Sequence, residues 1–97
     1  MPLPIDELYW DDNNVDHIWR SHGVTVDEVE EIVFGIEDAR PEYRARRSAD
    51  AYIVYGETGA GRLLKMVGVF VKVRTFRVFG AIDMDNAERR SYRKGKI

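Results

Sequence analysis

The chain has 97 residues, of which 44% are hydrophobic and 33% are charged, and its formal net charge is −2. This length predicts one domain with a single modest core, and the absence of cysteine excludes a disulfide scaffold and a thiolate metal site. The first ten residues lack the basic and apolar regions of a signal peptide, and Lys and Arg interrupt the longest apolar run, so we expect a cytoplasmic protein.

Charged residues are distributed unevenly along the chain. Residues 1–38 contain eleven Asp and Glu but one basic residue, Arg20, whereas residues 39–97 contain fourteen Lys and Arg against six acidic residues. Such asymmetry favours a polyanion partner on one side or a basic partner on the other. The alternative is that the two halves neutralise each other within the fold.

A short strand over residues 5–10 and then a helix are predicted at the start of the chain. The helix begins at Asp11 or Asp12, which can cap its first turn, and ends at Gly23 in a left-handed conformation. Its apolar face consists of four residues at helical spacing: Val15, Ile18, Trp19 and His22.

The second predicted helix has the best local signature in the chain. Thr25 and Glu28 form a T-x-x-E capping box, and Val24 and Val29 stand at the positions of a hydrophobic staple. Gly35 lies where the helix is expected to stop. The apolar residues at helical spacing are Val29, Ile32, Val33 and Ile36.

The strands of the sheet are expected in the second half. Residues 38–47 are polar and basic around Pro41, which predicts an edge strand or a loop because proline cannot donate to a sheet ladder. Residues 51–56 predict a strand that a glycine-bearing turn follows. Residues 62–80 are rich in Val and Phe and about twice an ordinary strand in length, which predicts two antiparallel strands that reverse near Lys72.

A third helix completes the predicted fold. It runs from Asp85, its N-cap, to about Lys94, with Glu88 as the acidic partner of a capping box. Ala87 and Tyr92 are its main apolar residues, so it must pack on the sheet to be stable. The element order predicts an α+β fold in which two N-terminal helices and a C-terminal helix pack on one face of an antiparallel sheet.

Basic residues are set into the apolar tract of residues 62–80: Arg62, Lys65, Lys72, Arg74 and Arg77. Charged residues that alternate with apolar ones predict a sheet with one buried face and one solvated, positive face. A larger basic and aromatic set comprises Arg44, Arg62, Lys65, Arg74, Phe76, Arg77, Arg89, Arg90 and Tyr92. This set favours RNA over duplex DNA, because guanidinium groups pair with phosphates and aromatic rings stack on unpaired bases. The alternative is an ordinary solvated surface.

Cleavage of RNA at the 2′-hydroxyl requires a base, an acid and cations that stabilise the phosphorane. Arginine can supply the cations without a metal ion. His17 and His22 are five residues apart, which is poor spacing for two ligands on one helical face, so we expect no metal site. His22, beside Gly23 at a helix end, is the better candidate for action at the site, although a lone histidine is more often a packed or capping residue.

A series of short motifs extends through nearly the whole chain. The N-terminal half contains Trp10-Asp11, Asn14, His17-Ile18, His22-Gly23-Val24-Thr25 and Glu28-Val29-Glu30-Glu31. The C-terminal half contains residues 52–56, Gly61-Arg62-Leu63-Leu64, Arg77-Val78, Ala81, Met84, Glu88-Arg89-Arg90 and Tyr92. This ordered set resembles the BrnT-type toxins of type II toxin–antitoxin modules.

The resemblance implies a fold similar to that of RelE-like ribonuclease toxins and RNA cleavage that blocks translation, with no cofactor. It also implies neutralisation by a BrnA-type antitoxin with a ribbon-helix-helix DNA-binding region, which we expect to cover the basic sheet face. The basic positions of the family fall on His22, Arg62, Arg77 and Arg89, with Tyr92 nearby.

These positions lead to specific expectations. Arg62 and Arg77 would bind the scissile phosphate, and His22 or Tyr92 would transfer the proton. The residues expected to bind RNA are Lys65, Arg74, Arg89 and Arg90.

Two features depart from the family pattern. The family often has a basic residue directly after the alanine that ends the last strand, where this chain has Ile82, and the family is commonly basic overall. One alternative is therefore a catalytically weak or inactive binding module of the same fold, for nucleic acid or a protein partner. Another is a small regulatory or structural domain unrelated to RNA.

Overall fold

A computed structural model describes residues 5–35, 42–45 and 51–95. These residues form five strands in one sheet: β1 (Glu7–Leu8), β2 (Glu42–Ala45), β3 (Ala51–Glu57), β4 (Leu63–Lys72) and β5 (Thr75–Asp83). The strand order is β1-β5-β4-β3-β2. Residues 38–47 were predicted to form an edge strand or a loop. In the part of this range that is described, the edge strand is confirmed, because β2 lies at one edge of the sheet.

The direction of β1 is the main departure from the predicted sheet. The pairs β2–β3, β3–β4 and β4–β5 are antiparallel, but β1 is parallel to β5, with Glu7 opposite Thr75. The prediction of an α+β fold is confirmed, whereas that of a purely antiparallel sheet is wrong. Two helices, rather than a tight turn, follow the first strand in the chain. Such a long connection allows the strand to lie parallel to its neighbour in the sheet.

Three α-helices accompany the sheet in the described residues: α1 (Asp12–His22), α2 (Val26–Glu30) and α3 (Asn86–Arg93). Each begins with a complete capping box, and the boxes predicted at Thr25 and Asp85 are confirmed. Gly23 ends α1 with φ +62°, as predicted, and its N–H donates to the Trp19 carbonyl at 2.8 Å. None of these helices is both long and apolar enough to cross a membrane.

The second helix is less regular than predicted. After Glu30 the chain continues as a π-helical turn, Glu31–Gly35, in which Ile32 is buried and Val33 partly buried. The Glu31 carboxylate accepts the Gly59 N–H at 2.8 Å, which ties this turn to the loop after β3. Ile36 lies outside the described residues.

The main core lies between the sheet and the helices α1 and α2. It contains Ile18, Val24, Val29, Ile32, Val54, Leu64, Met66, Phe76, Val78 and Ala81. Burying a large apolar side chain stabilises the fold by about 1.5–3 kcal/mol. This cluster therefore sets the position of both N-terminal helices on the sheet.

The third helix packs on the opposite face of the sheet. Tyr92 contacts a second buried cluster formed by Tyr55, Leu63 and Met84. Neighbouring residues of a strand point to opposite faces, so Leu63 lies on the other side from Leu64 of the main core. The prediction that all helices share one face is therefore wrong. The Met84 N–H donates to the Leu63 carbonyl at 3.0 Å, and this bond holds the chain beside Leu63 as it leaves β5.

The orientation of α1 also differs from the prediction. Ile18 is fully buried as expected, but Val15 is 37% exposed, Trp19 is 58% exposed and His22 is exposed. Asn14 is buried instead, at 3% exposure. The helix is therefore rotated so that an amide, rather than the tryptophan, faces the sheet.

Hydrogen bonds explain why Asn14 can be buried. Its side-chain nitrogen donates to the carbonyls of Tyr9 at 2.8 Å and Val78 at 3.1 Å. Its side-chain oxygen accepts the N–H of Asp11 at 2.7 Å and so completes the capping box of α1. A buried amide whose donors and acceptor are satisfied costs little. Asn14 thus joins the start of α1 to β5.

The β4–β5 hairpin reverses at Val73 and Arg74, so the predicted turn near Lys72 is confirmed. The register changes between Val67 and Gly68, which leaves Phe79 of β5 without a partner on β4. This β-bulge turns Phe79 outward, where it is 40% exposed.

Candidate active site

Arg62 immediately precedes β4 and joins the ends of several elements. Its Nε donates to Asp83 Oδ1 at 2.8 Å, and a terminal nitrogen donates to Asp83 Oδ2 at 3.1 Å. The same terminal nitrogen donates to the His22 carbonyl at 2.9 Å. The other terminal nitrogen donates to the Gly23 carbonyl at 3.0 Å and to the Glu28 carboxylate at 3.2 Å. These bonds use all five N–H groups of the guanidinium.

The same contacts shift the pKa of both partners of the central ion pair. The hydrogen bond from Arg62 lowers the pKa of Asp83, and the charges of Arg62, Arg89 and His22 lower it further. The hydrogen bond to Asp83, followed by that to Glu28, raises the pKa of Arg62. Partial burial opposes both shifts. Asp83 and Arg62 therefore stay charged over the whole physiological range of pH.

Asp83 brings together three of the residues predicted from the sequence. Arg62 binds its carboxylate directly and also holds the His22 carbonyl at the end of α1, while Arg89 on α3 binds the carbonyl of Met84, the residue after Asp83. These four residues, His22, Arg62, Asp83 and Arg89, are named the Asp83 cluster. His22 and Arg89 are exposed, and Arg62 and Asp83 are partly exposed. A solvent-facing imidazole and guanidinium thus lie near a closed ion pair.

Arg89 belongs to a basic surface on α3. Its Nε donates to the Met84 carbonyl at 3.0 Å, and the described residues provide no carboxylate that forms an ion pair with it. The same is true of Arg90, Arg93 and Lys94, all of which are exposed. Within the described part of the chain, α3 therefore presents positive charge that no ion pair neutralises.

Arg77 lies at the opposite end of α1 from Arg62. Its terminal nitrogen donates to Asp11 Oδ2 at 3.0 Å, and its guanidinium carbon is 5.8 Å from the centre of the Tyr9 ring. Asp11 caps the start of α1, whereas Arg62 binds the carbonyls at its end. The helix has 11 residues, or a length of about 16 Å. The structure therefore does not bring Arg62 and Arg77 together around one phosphate.

Tyr92 packs with Tyr55, Leu63 and Met84 on the α3 side of the sheet, whereas His22 ends a helix on the other side. The two residues predicted as alternatives for proton transfer therefore belong to helices on different faces of the sheet.

The predicted positive sheet face is wrong, because carboxylates neutralise four of its five basic residues, and Lys72 is the one without an ion pair to a described residue. Arg62 pairs with Glu28 and Asp83, Lys65 with Glu88 at 2.8 Å, Arg74 with Asp6 at 3.4 Å and Arg77 with Asp11. Three of these acidic partners, Asp6, Asp11 and Glu28, come from the acidic N-terminal half. For these three pairs, the alternative interpretation, in which the two halves of the chain neutralise each other, is confirmed.

Phe76 and Arg44 also belong to the basic and aromatic set that was predicted to favour RNA. Phe76 is fully buried in the core, so its predicted role as a stacking ring is wrong. It faces the main core because its strand is covered there by α1, against which β5 packs. The side chain of Arg44 lies outside the described part of the structure.

Neither Asp83 nor the contact of Glu28 with Arg62 was predicted from the sequence. Asp83 is 21 positions from Arg62 and approaches it because the hairpin register sets Leu64 opposite Asp83. The turn position could have revealed this pairing, since a hairpin that reverses near residue 73 brings residues 62–64 beside residues 83–85. Glu28, 34 positions from Arg62, gave no such signal beyond its capping box.

The geometry supports acid–base chemistry and phosphate binding at neighbouring points. A histidine side chain can gain or lose a proton near neutral pH, and an exposed guanidinium can bind a phosphate in two-pronged fashion. Among the described residues, no group of three or more His, Asp and Glu side chains is placed to hold a metal ion. Comparison with models of known protein families and with curated proteins gives no match to this chain.

Proposed function

We propose that the chain is the toxin component of a type II toxin–antitoxin module, a metal-independent, cytoplasmic ribonuclease of the BrnT type with a RelE-like fold. A ribbon-helix-helix antitoxin neutralises it. The observation that carries this proposal is that Arg62, which binds Asp83, also holds the His22 carbonyl, while Arg89 of the basic α3 surface binds the carbonyl of Met84, the residue after Asp83. The ordered sequence motifs described above supply the toxin family.

The roles within the Asp83 cluster follow from which donors are in use. Arg62 acts as a positioning residue, because all its N–H groups are bound within the protein. Arg89 binds the phosphate next to the cleaved bond, since its terminal nitrogens have no partner among the described residues. His22 either removes the proton of the attacking 2′-hydroxyl or donates a proton to the 5′-oxygen as its bond to phosphorus breaks.

The basic surface of α3 holds the RNA backbone. Arg89, Arg90, Arg93 and Lys94 can each neutralise a phosphate, and the release of counterions then drives binding and makes it dependent on salt. This contribution is independent of RNA sequence. The antitoxin switches off the enzyme by covering α3 and the Asp83 cluster, where the positive charge is accessible.

A binding module without catalysis is the second candidate. The complete use of Arg62 in internal hydrogen bonds favours it, because this side chain then adds no charge to a phosphorane. Ile82, opposite Lys65 on β5, likewise supplies no charge at the position where the family often has a basic residue. Such a module would bind RNA or a protein partner through α3.

Cleavage and binding of a labelled single-stranded RNA separate these candidates. We expect His22→Gln to lower the cleavage rate at least about 100-fold while binding is retained, because general acid–base catalysis typically contributes at least that much. Ser21→Ala changes the preceding exposed residue and should cleave like the wild type. Arg90→Ala should weaken binding and reduce the salt dependence by about one phosphate contact.

Each outcome points to one conclusion. Binding without cleavage by the wild-type protein would favour the binding module, and equal cleavage by wild type and His22→Gln would remove His22 from the mechanism. A folded wild-type protein that neither binds nor cleaves RNA, and that leaves growth and cellular RNA intact after induced expression, would overturn the proposed function.

A further inference from the structure

A second groove lies where the first half of α1 meets β5, far along the helix from the Asp83 cluster. It is lined by Asn13, Asn14, His17, Arg77 and Phe79. The groove combines a phenyl ring, amides, an imidazole and a guanidinium on one surface. Neither the fold nor the proposed cleavage chemistry requires this combination. Asn14 is the one lining residue that is buried and hydrogen-bonded within the fold.

Phe79 is the unusual member of this group. It is the extra residue of the β-bulge and is 40% exposed, although the sheet beside it buries Val78 and Ala81 in the core. A β-bulge redirects a side chain, and bulges are found preferentially next to functional sites. Here the bulge directs an aromatic ring into a groove that is open to solvent.

Arg77 adds hydrogen-bond donors that are fixed in position. Its single recorded hydrogen bond to a described residue goes to Asp11, and its guanidinium lies over the Tyr9 ring, which is 45% exposed. Arg62 has no free N–H, but Arg77 keeps several donors for a ligand. The Asp11 carboxylate and the Tyr9 ring restrict its motion, so little conformational entropy remains to be lost on binding.

We propose that this groove binds one unpaired nucleotide, whose base stacks on Phe79 while the amide of Asn13 bonds to the base edge and Arg77 contacts a phosphate. Aromatic stacking together with side-chain hydrogen bonds to the base edge is the usual way in which proteins hold unpaired bases. The inference rests on the proposed function where the nucleotide belongs to an RNA strand, since it states where that strand is held away from the cleavage point. The same chemistry would bind a free nucleotide.

A ten-nucleotide single-stranded RNA with one 2-aminopurine tests stacking directly, because the fluorescence of this base falls when it stacks on a ring. We expect wild-type protein to quench the fluorescence. Phe79→Leu keeps an apolar side chain without the ring and should abolish the quenching and weaken binding about five-fold or more. Phe34→Leu is the matched control, since Phe34 is 47% exposed outside this groove.

Titration of isotope-labelled protein with adenosine monophosphate tests the groove without reference to RNA cleavage. We expect the backbone amide signals of Asn13, His17 and Arg77 to shift in the wild type but not in Phe79→Leu. RNA that is bound and cleaved equally by Phe79→Leu and Phe34→Leu, without shifts at these amides, would overturn the groove and leave the proposed function standing. Shifts at these amides in a protein that neither binds nor cleaves RNA would support a free-nucleotide site and reject the proposed function. No shifts and no quenching would overturn the inference altogether.

Discussion

Arg62 and Asp83 form a two-pronged ion pair, with 2.8 and 3.1 Å between the two guanidinium nitrogens and the two carboxylate oxygens. The pair joins the chain just before β4 to the end of β5. The remaining N–H groups of Arg62 hold the last carbonyls of α1 and the carboxylate of Glu28. One side chain thereby connects both N-terminal helices to the central hairpin.

The first prediction concerns the stability that Arg62 provides. Arg62→Ala should lower the free energy of unfolding by about 1–3 kcal/mol, because it leaves two carboxylates and two carbonyls without their donor. Urea denaturation measures this change. Arg74→Ala is the matched control, since the Arg74–Asp6 pair is more than half exposed and should contribute at most about 1 kcal/mol. Equal effects of the two substitutions would contradict a stabilising role for Arg62.

The second prediction concerns acid denaturation. The folded protein holds the pKa of Asp83 below its ordinary value of 3.8, so near and below that pH the unfolded chain binds more protons than the folded one. The contribution of Asp83 is therefore complete above pH 3.8 and is lost as the pH falls through the lower folded pKa. The unfolding free energy of the wild type should fall more steeply below about pH 4 than that of Asp83→Asn. Parallel curves would contradict the shift.

The third prediction concerns the buried amide of α1. Asn14→Ala should destabilise the fold by about 2–3 kcal/mol, because the carbonyls of Tyr9 and Val78 and the N–H of Asp11 lose their partner. Asn13→Ala, one position away and exposed, should change the unfolding free energy by less than about 0.5 kcal/mol. Thermal denaturation of both variants would reveal the difference, and similar melting temperatures would show that the Asn14 bonds contribute little.

The fourth prediction concerns the close approach of β4 and β5 at the bulge. A β-carbon added at Gly68 would collide with the Arg77 carbonyl and lie 2.7 Å from the Phe76 ring. Gly68→Ala should therefore destabilise the protein by about 1–3 kcal/mol. A β-carbon at Gly80 meets no atom within 4 Å, so Gly80→Ala serves as the control and should have a small effect. A tolerated Gly68→Ala would mean that the hairpin can shift its register here.

Local signals in the sequence predicted the elements well. The capping boxes at Thr25 and Asp85 use residues three positions apart, so the sequence alone contains both halves of each interaction. The hairpin follows from the length of residues 62–80 and its β-branched residues. The end of α1 at Gly23 required only the tolerance of glycine for positive φ.

Features that depend on distant residues were not predictable in the same way. Asn14 faces inward because the Val78 carbonyl, 64 positions away, accepts its hydrogen bond. The apolar spacing of α1 pointed instead to Trp19, which is exposed. Alternation of charge along residues 62–80 likewise predicted a solvated positive face, but it carried no information about which acidic residues lie opposite. His22, Arg62 and Arg89 were already candidates from the residue pattern and again from the resemblance, whereas their meeting at Asp83 depends on the hairpin register.

The contacts of Arg62 also determine when the protein can complete its fold during synthesis. Most of the N-terminal segment, including α1 and α2, leaves the ribosome before Arg62, and Asp83 follows only at the end of β5. The N-terminal helices therefore remain without their main polar attachment, and without β4 and β5 to cover their apolar faces, until β5 has been made. A truncated product that ends before β5 would lack Asp83 and Arg89 themselves as well as much of the core, so the Asp83 cluster could not assemble.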